Sequence, residues 1–143
     1  MRVLEVMTRD VHCVHPDNTL REAAEKMNAL NVGSLPVCDG DRLLGMLTDR
    51  DITVRAVSDG HNPDRDQVRE AMTPQVFYCF EDQDITEAAQ LMKEKQVRRL
   101  PVLNRAKRMV GIVSLGDLAV KAGDGGLSGE ALEQVSEPAA PKR

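Results

Sequence analysis

The chain is nearly devoid of aromatic residues. Among its 143 residues there is no tryptophan, one tyrosine and two phenylalanines, and Phe77, Tyr78 and Phe80 fall within four consecutive positions. That excludes a stacking platform for single-stranded nucleic acid and leaves the interior to aliphatic side chains and seven methionines. Basic charge is also in short supply: 19 Lys and Arg stand against 23 Asp and Glu, a net charge of −4. A nonspecific electrostatic grip on nucleic acid or on an anionic membrane is therefore not expected. The three cysteines, Cys13, Cys38 and Cys79, are too few and too irregular for a disulfide framework. No apolar run reaches membrane-spanning length, and Met1 to Met7 lacks the apolar stretch of a secretory signal, so a cytoplasmic location is expected. Walker-type loops, dinucleotide-binding glycine fingerprints and Ser/His/Asp arrangements are missing from the sequence, and no catalytic residue is assigned. What remains, 41% hydrophobic and 29% charged residues, is the balance of a soluble globular protein.

Within that balance the chain repeats itself. Met7-Thr8 recurs 65 residues later as Met72-Thr73, and the same shift places Leu20 on Ile85, Ala23-Ala24 on Ala88-Ala89, Met27 on Met92 and Leu35-Pro36-Val37 on Leu100-Pro101-Val102. After one inserted residue, Gly45 falls on Gly111 and Thr48-Asp49-Arg50-Asp51-Ile52 on Ser114-Leu115-Gly116-Asp117-Leu118. Each copy reads as a short strand (Val11 to Val14; Val76 to Phe80), then a helix whose cap is set by Thr19 and Glu22 or by Asp84 and Glu87, ending near Asn31 or Gln96. A hairpin follows, Ser34 to Cys38 with Leu43 to Leu47, and Leu100 to Leu103 with Met109 to Val113, before a second helix begins at Thr48 or Ser114. The order is βαββα, twice, in an α+β chain. Residues 1–60 form repeat 1, 61–66 a polar linker, 67–122 repeat 2, and 123–143, opened by Gly123-Asp124-Gly125-Gly126, a tail expected to be disordered.

Thr48-x-x-Asp51 and Ser114-x-x-Asp117 place a hydroxyl and a carboxylate three residues apart where a strand becomes a helix. The plain reading is a capping box, in which each side chain satisfies an unpaired backbone N–H. The functional reading sets the same helix start against a phosphate, with the carboxylate accepting from a ribose diol. A glycine beside each pair, Gly45 and Gly111, suits close backbone approach and also suits packing.

The repeated Met-Thr, Leu-Pro-Val and Gly-x-x-Thr/Ser-x-x-Asp elements, in the same order in both copies, resemble the CBS domain, named after cystathionine β-synthase. Two in tandem resemble a Bateman module. The resemblance covers residues 1 to 122 and implies two repeats related by a pseudo-two-fold axis, with an adenosine-type ligand (AMP, ATP, S-adenosylmethionine or similar) in the cleft between them. It carries phosphate and ribose contact onto Thr48, Asp51, Ser114 and Asp117. It also pairs each repeat's hydroxyl and carboxylate with the pre-strand segment of the other, setting Val97-Arg98 toward Asp51 and Val32-Gly33 toward Asp117, with Arg98 as the phosphate cation. The implied role is regulatory, with no required cofactor, an unidentified effector protein and a homodimer built through Ile52, Val54, Ala56, Val57, Leu118, Ala119 and Val120.

Cys13 on the first strand and Cys38 at the end of the second are expected on parallel neighbours, where they form either a candidate disulfide or two reduced thiols. Their placement is similar to that of the small stand-alone CBS proteins called hypoxic response proteins, which implies a redox or oxygen-limitation setting and, as an alternative, a ligand-free stress-response protein acting through protein contacts. His12, Cys13, His15 and Cys38 also suggest zinc, but strand alternation sets His12 opposite Cys13 and His15, and no metal site is expected. Cys79 is expected as a buried thiol.

Overall fold

The computed structural model describes residues 1–74 and 76–120, so the expected tail lies outside the described residues. The described residues divide into two compact units, one of His12–Val76 and one that joins Met1–Val11 to residues 77–120. The units are offset from the sequence repeats: the Met-Thr segment that opens each repeat packs in the unit formed by the other repeat's helix and hairpin.

In the unit His12–Val76, Thr19 and Glu22 form the expected reciprocal cap (Glu22 N to Thr19 Oγ1, 3.1 Å; Thr19 N to Glu22 Oε1, 2.9 Å) and start α1, Leu20–Leu30. Its buried face is Leu20, Ala23 and Met27, the helical spacing visible in the sequence, and Asn31 ends it with a left-handed φ of 55°. Strands β1, Ser34–Asp39, and β2, Arg42–Thr48, pair antiparallel around Gly40, whose φ of 61° makes the tight turn. The expected strand at Val11 to Val14 shrinks to a single parallel bridge between Val14 and Val37. The chain enters this unit only at His12 and meets Pro16, which has no N–H to extend a ladder. After β2 comes one α-helical turn, α2, Asp49–Asp51, continuing as a π-helix over Ile52–Val57. The wider winding shows in Ser58 N donating to Thr53 O and His61 N to Ala56 O, both five residues back. Val14, Leu20, Val37, Leu47, Ala56, Val68 and Ala71 close the core.

The second unit repeats the plan with β3, Cys79–Phe80, α3, Ile85–Lys95, β4, Arg99–Leu103, β5, Met109–Ser114, and α4, Leu115–Val120. The strands order β3-β4-β5, with β3 parallel and β5 antiparallel to β4. Cys79 pairs with Val102 as Val14 pairs with Val37, so the repeat is kept at the level of single partners. The cap of α3 departs from the expected box: Asp84 accepts from Thr86 N at 2.9 Å, while Glu87 turns to accept from Gln83 Nε2 at 2.8 Å. Val3, Val6 and Met7 join Ile85, Ala88, Met92, Leu100, Val113 and Leu118 in one core, because a 3-10 turn at Val3–Glu5 folds the N-terminal apolar residues inward.

The Met-Thr elements explain the glycines. Thr73 and Met46 exchange backbone hydrogen bonds (2.8 and 2.9 Å), and Thr8 and Ile112 do the same (2.8 and 2.9 Å). A Cβ on Gly45 would lie 2.6 Å from the Thr73 carbonyl oxygen, and one on Gly111 would lie 2.7 Å from Met7 Sδ and 2.9 Å from the Thr8 carbonyl. Both glycines therefore serve packing of the chain's own backbone. Among the described residues no helix is long and apolar enough to cross a membrane.

Candidate functional site

The two hydroxyl–carboxylate pairs are built alike. Thr48 ends β2 in extended backbone, its Oγ1 accepts from Asp51 N at 3.0 Å, and its own N–H donates to Asp51 Oδ2 at 3.0 Å. Ser114 and Asp117 repeat this with 3.1 Å and 3.0 Å. The capping box is therefore real in both repeats. It occupies one carboxylate oxygen and one hydroxyl lone pair, and it fixes both side chains at the strand-to-helix corner. Asp51 is held with only 13% of its side chain exposed, the kind of locked geometry a binding group needs.

Within each unit the pre-strand segment is tied to the same corner. Asp49 N donates to Gly33 O at 2.9 Å, and Leu115 N donates to Arg98 O at 3.0 Å. Val32-Gly33 thus flanks Thr48 and Asp51, and Val97-Arg98 flanks Ser114 and Asp117, each in its own repeat. A Cβ on Gly33 would lie 3.1 Å from Oδ2 of the exposed Asp49 side chain, a close contact that a turn of that side chain relieves. Val32 and Val97 are half-buried, and Gly33 and Arg98 exposed. The cation beside Asp51 in its own unit is Arg55, which sequence spacing did not single out. Its Nε lies 3.8 Å from Asp51 Oδ1 and its Nη1 donates to Met72 O at 3.4 Å. The signal was present as an i, i+4 acid–base pair on the helix following Thr48.

Of the apolar positions assigned to a dimer contact, Ala56 (2% exposed) and Leu118 (0%) belong to the cores. They lie inside because the helix turns them toward their own hairpin. Val54 (46%), Val57 (67%) and Val120 (82%) remain outside.

Cys13 and Cys38 lie where parallel neighbours were expected: Val14 N donates to Pro36 O, Cys38 N donates to Val14 O, and the Cys38 thiol donates to Cys13 Sγ at 3.1 Å. That hydrogen bond, helped by the Lys26 ammonium, draws the Cys13 thiol below its ordinary value, and the same bond with burial pushes Cys38 upward. Lys26 Nζ also donates to the Cys13 carbonyl at 2.5 Å. His12 is exposed, and His15 faces Asp39 and Asp17 at 3.5 and 3.7 Å. Burial alone raises Cys79 to about 12.

Two repeats, each carrying a locked hydroxyl–carboxylate corner where its hairpin meets its second helix, define a tandem α+β module. The CBS domain profile matches residues 3–57 and 68–122, and the chain belongs to the CBS domain family. It is 40% identical over 134 residues to the CBS domain-containing protein YhcV of Bacillus subtilis, covering 94% of each. It is likewise 40% identical over 116 residues to Hypoxic response protein 1 of Mycobacterium tuberculosis, covering 80% of each. The crystal structure of Hypoxic Response Protein I with two coordinated zinc ions superposes with a TM-score of 0.75 at 38% identity, over 83% of this chain and 97% of that one. CBSX2 in complex with AMP gives 0.74 at 26% identity, over 86% and 96%. The CBS domain pair of MJ0100 in complex with 5′-methylthioadenosine and S-adenosylmethionine gives 0.70 at 26%, over 83% and 97%.

Proposed function

We propose that the chain is a regulatory module that binds an adenosine-type ligand, such as AMP, ATP or S-adenosylmethionine, at the Thr48–Asp51 and Ser114–Asp117 corners. The observation that carries this reading is the identical locked geometry of the two pairs. It is supported by relatives of the same fold that hold AMP or S-adenosylmethionine. Each cap engages a single carboxylate oxygen, so the Asp can also accept from a ribose diol, and each hydroxyl can donate its proton to phosphate. Val32, Gly33, Val97 and Arg98 border the corners, and Arg55 and Arg98 supply cations for a phosphate. Arg55 sits beside Asp51 and Arg98 beside the Ser114–Asp117 corner, so each corner has one cation within its own unit. The module needs no cofactor, has no turnover of its own and works in the cytoplasm on an effector protein. Ligand occupancy acts by binding two conformations of the module unequally. Val54, Val57 and Val120 form the apolar contact of a homodimer, so Val57→Asp is expected to halve the mass measured by light scattering.

Calorimetric titration with AMP, ATP and S-adenosylmethionine tests the ligand reading. Saturable binding that Asp51→Ala or Asp117→Ala weakens about tenfold, the loss of a hydrogen bond to a charged group, is the expected result. Unchanged affinity in both variants would refute it.

A second reading rests on the sulfurs of Cys13 and Cys38, 3.1 Å apart on neighbouring strands, and on the similarity to Hypoxic response protein 1. Here the chain is a ligand-free stress protein, stapled when an external oxidant takes two electrons and two protons from the thiols. Closing that loop contributes about 3 kcal/mol. Silence toward all three adenosine ligands, with a melting temperature that rises on oxidation, distinguishes this reading from the first.

A further inference from the structure

The loop leaving the π-helix carries a second cluster of ligating side chains, away from the hydroxyl–carboxylate corners. One ring nitrogen of His61 and one carboxylate oxygen from each of Asp66 and Glu70 lie within 4.8 Å of one another. His61 Nδ1 is already 3.1 Å from Asp66 Oδ2. Ligands on a tetrahedral zinc ion with bonds of about 2.1 Å stand roughly 3.4 Å apart, so a turn of the exposed Glu70 side chain closes the set.

The backbone beneath the three is fixed at each point. His61 N donates to Ala56 O at 2.8 Å, and Asp66 N donates to Asn62 O at 2.7 Å while Asp66 O accepts from Leu20 N at 3.0 Å. Glu70 ends the 3-10 turn Val68–Glu70, anchored by the fully buried Val68. The ligands therefore need no ordering of the chain before they bind. The hydrogen bonds already present account for only part of the cluster. Asp66 Oδ2 accepts from Asn62 N at 2.6 Å. Glu70 Oε2 accepts from Gln67 N at 2.7 Å. The His61–Asp66 contact accounts for the imidazole, but not for the second carboxylate, whose repulsion from Asp66 a dication removes. Arg65 approaches the other Asp66 oxygen, Oδ1, at 4.0 Å, away from the oxygen that faces His61.

We propose that His61, Asp66 and Glu70 bind one divalent transition-metal ion of the zinc class, with water as the fourth ligand. An imidazole with two carboxylates favours such an ion over magnesium or calcium, which prefer all-oxygen shells. The ion ties the loop after the π-helix to the 3-10 turn at Val68 and acts as a structural clip.

The test is titration of the full-length, untagged, metal-stripped chain with Zn²⁺ by calorimetry and with Co²⁺ by absorption. One equivalent is expected to bind, with ligand-field bands of a four-coordinate cobalt ion and no thiolate charge-transfer band. His61→Ala and Glu70→Gln are each expected to weaken binding at least about tenfold. Both variants keep the Asp66–Asn62 bond, and circular dichroism checks that they fold. No saturation by about millimolar metal, a thiolate band, or affinity unchanged in both variants would overturn the proposal.

Discussion

Replacing Gly45 by alanine sets a methyl carbon 2.6 Å from the Thr73 carbonyl oxygen, closer than any carbon and oxygen can stay. The obstacle is backbone, and that backbone is anchored: Met72 N donates to Val68 O, and Val68 and Ala71 are both fully buried. Relief therefore requires moving either β2 or the Met72-Thr73 segment. Overpacking of this kind costs about 1–3 kcal/mol. Separating the strands also stretches the two hydrogen bonds between Met46 and Thr73, each worth about 1 kcal/mol. A total loss of about 2–4 kcal/mol corresponds to roughly 6–15 °C in melting temperature for a chain of this size. Thermal and urea denaturation followed by circular dichroism measure it. Gly116→Ala is the control: the nearest atom to its added carbon is Ser114 Oγ at 3.5 Å, and within a helix alanine is favoured by about 0.5–1 kcal/mol. Gly111→Ala is expected to fall between them, since its closest neighbour is the flexible Met7 sulfur. Gly45→Ala within about 0.5 kcal/mol of the parent, the ordinary scatter of surface changes, would refute the packing argument.

The thiols allow two further checks. The Cys79 thiol gives up its proton near 9.0 when unfolded and near 12 when folded, so between those values the folded chain binds more protons and stability falls as pH rises. Cys79→Val, which copies the Val14 position, is expected to flatten that alkaline slope in urea melts, and an unchanged slope would contradict the burial argument. In the reduced native protein, iodoacetamide is expected to label Cys13 first, because Cys13 alone of the three is half-exposed and drawn toward thiolate. Peptide mass mapping that finds Cys79 labelled as early as Cys13 would refute that order.

The repeat, the cap of α1, the apolar face of each helix and the two hairpins were legible in the chain, because each is set by residues three or four apart or by alternation along one strand. Local rules also placed Thr48, Asp51, Ser114 and Asp117 at strand-to-helix corners. They failed where distant backbone intervened. Val11 to Cys13 reads as strand, yet the ladder forms only from Val14, after the chain has entered its second unit. Arg55 carried a legible i, i+4 signal toward Asp51, and only its second contact, with the Met72 carbonyl, is set in space; His61 meets Asp66 across a turn whose shape no spacing predicts.

Sequence by itself determined that two homologous βαββα repeats exist, where their helices start, where the first helix of each stops, and which hydroxyl and carboxylate stand together, since capping and periodicity are short-range effects. Only the tertiary structure decided that each Met-Thr segment packs with the other repeat's hairpin, that Gly45 and Gly111 make room for it, and that the expected neighbours Cys13 and Cys38 meet as a thiol hydrogen bond. Those contacts join residues 25 to more than 100 positions apart, and their geometry is settled by which backbone atoms fit against which once the cores close.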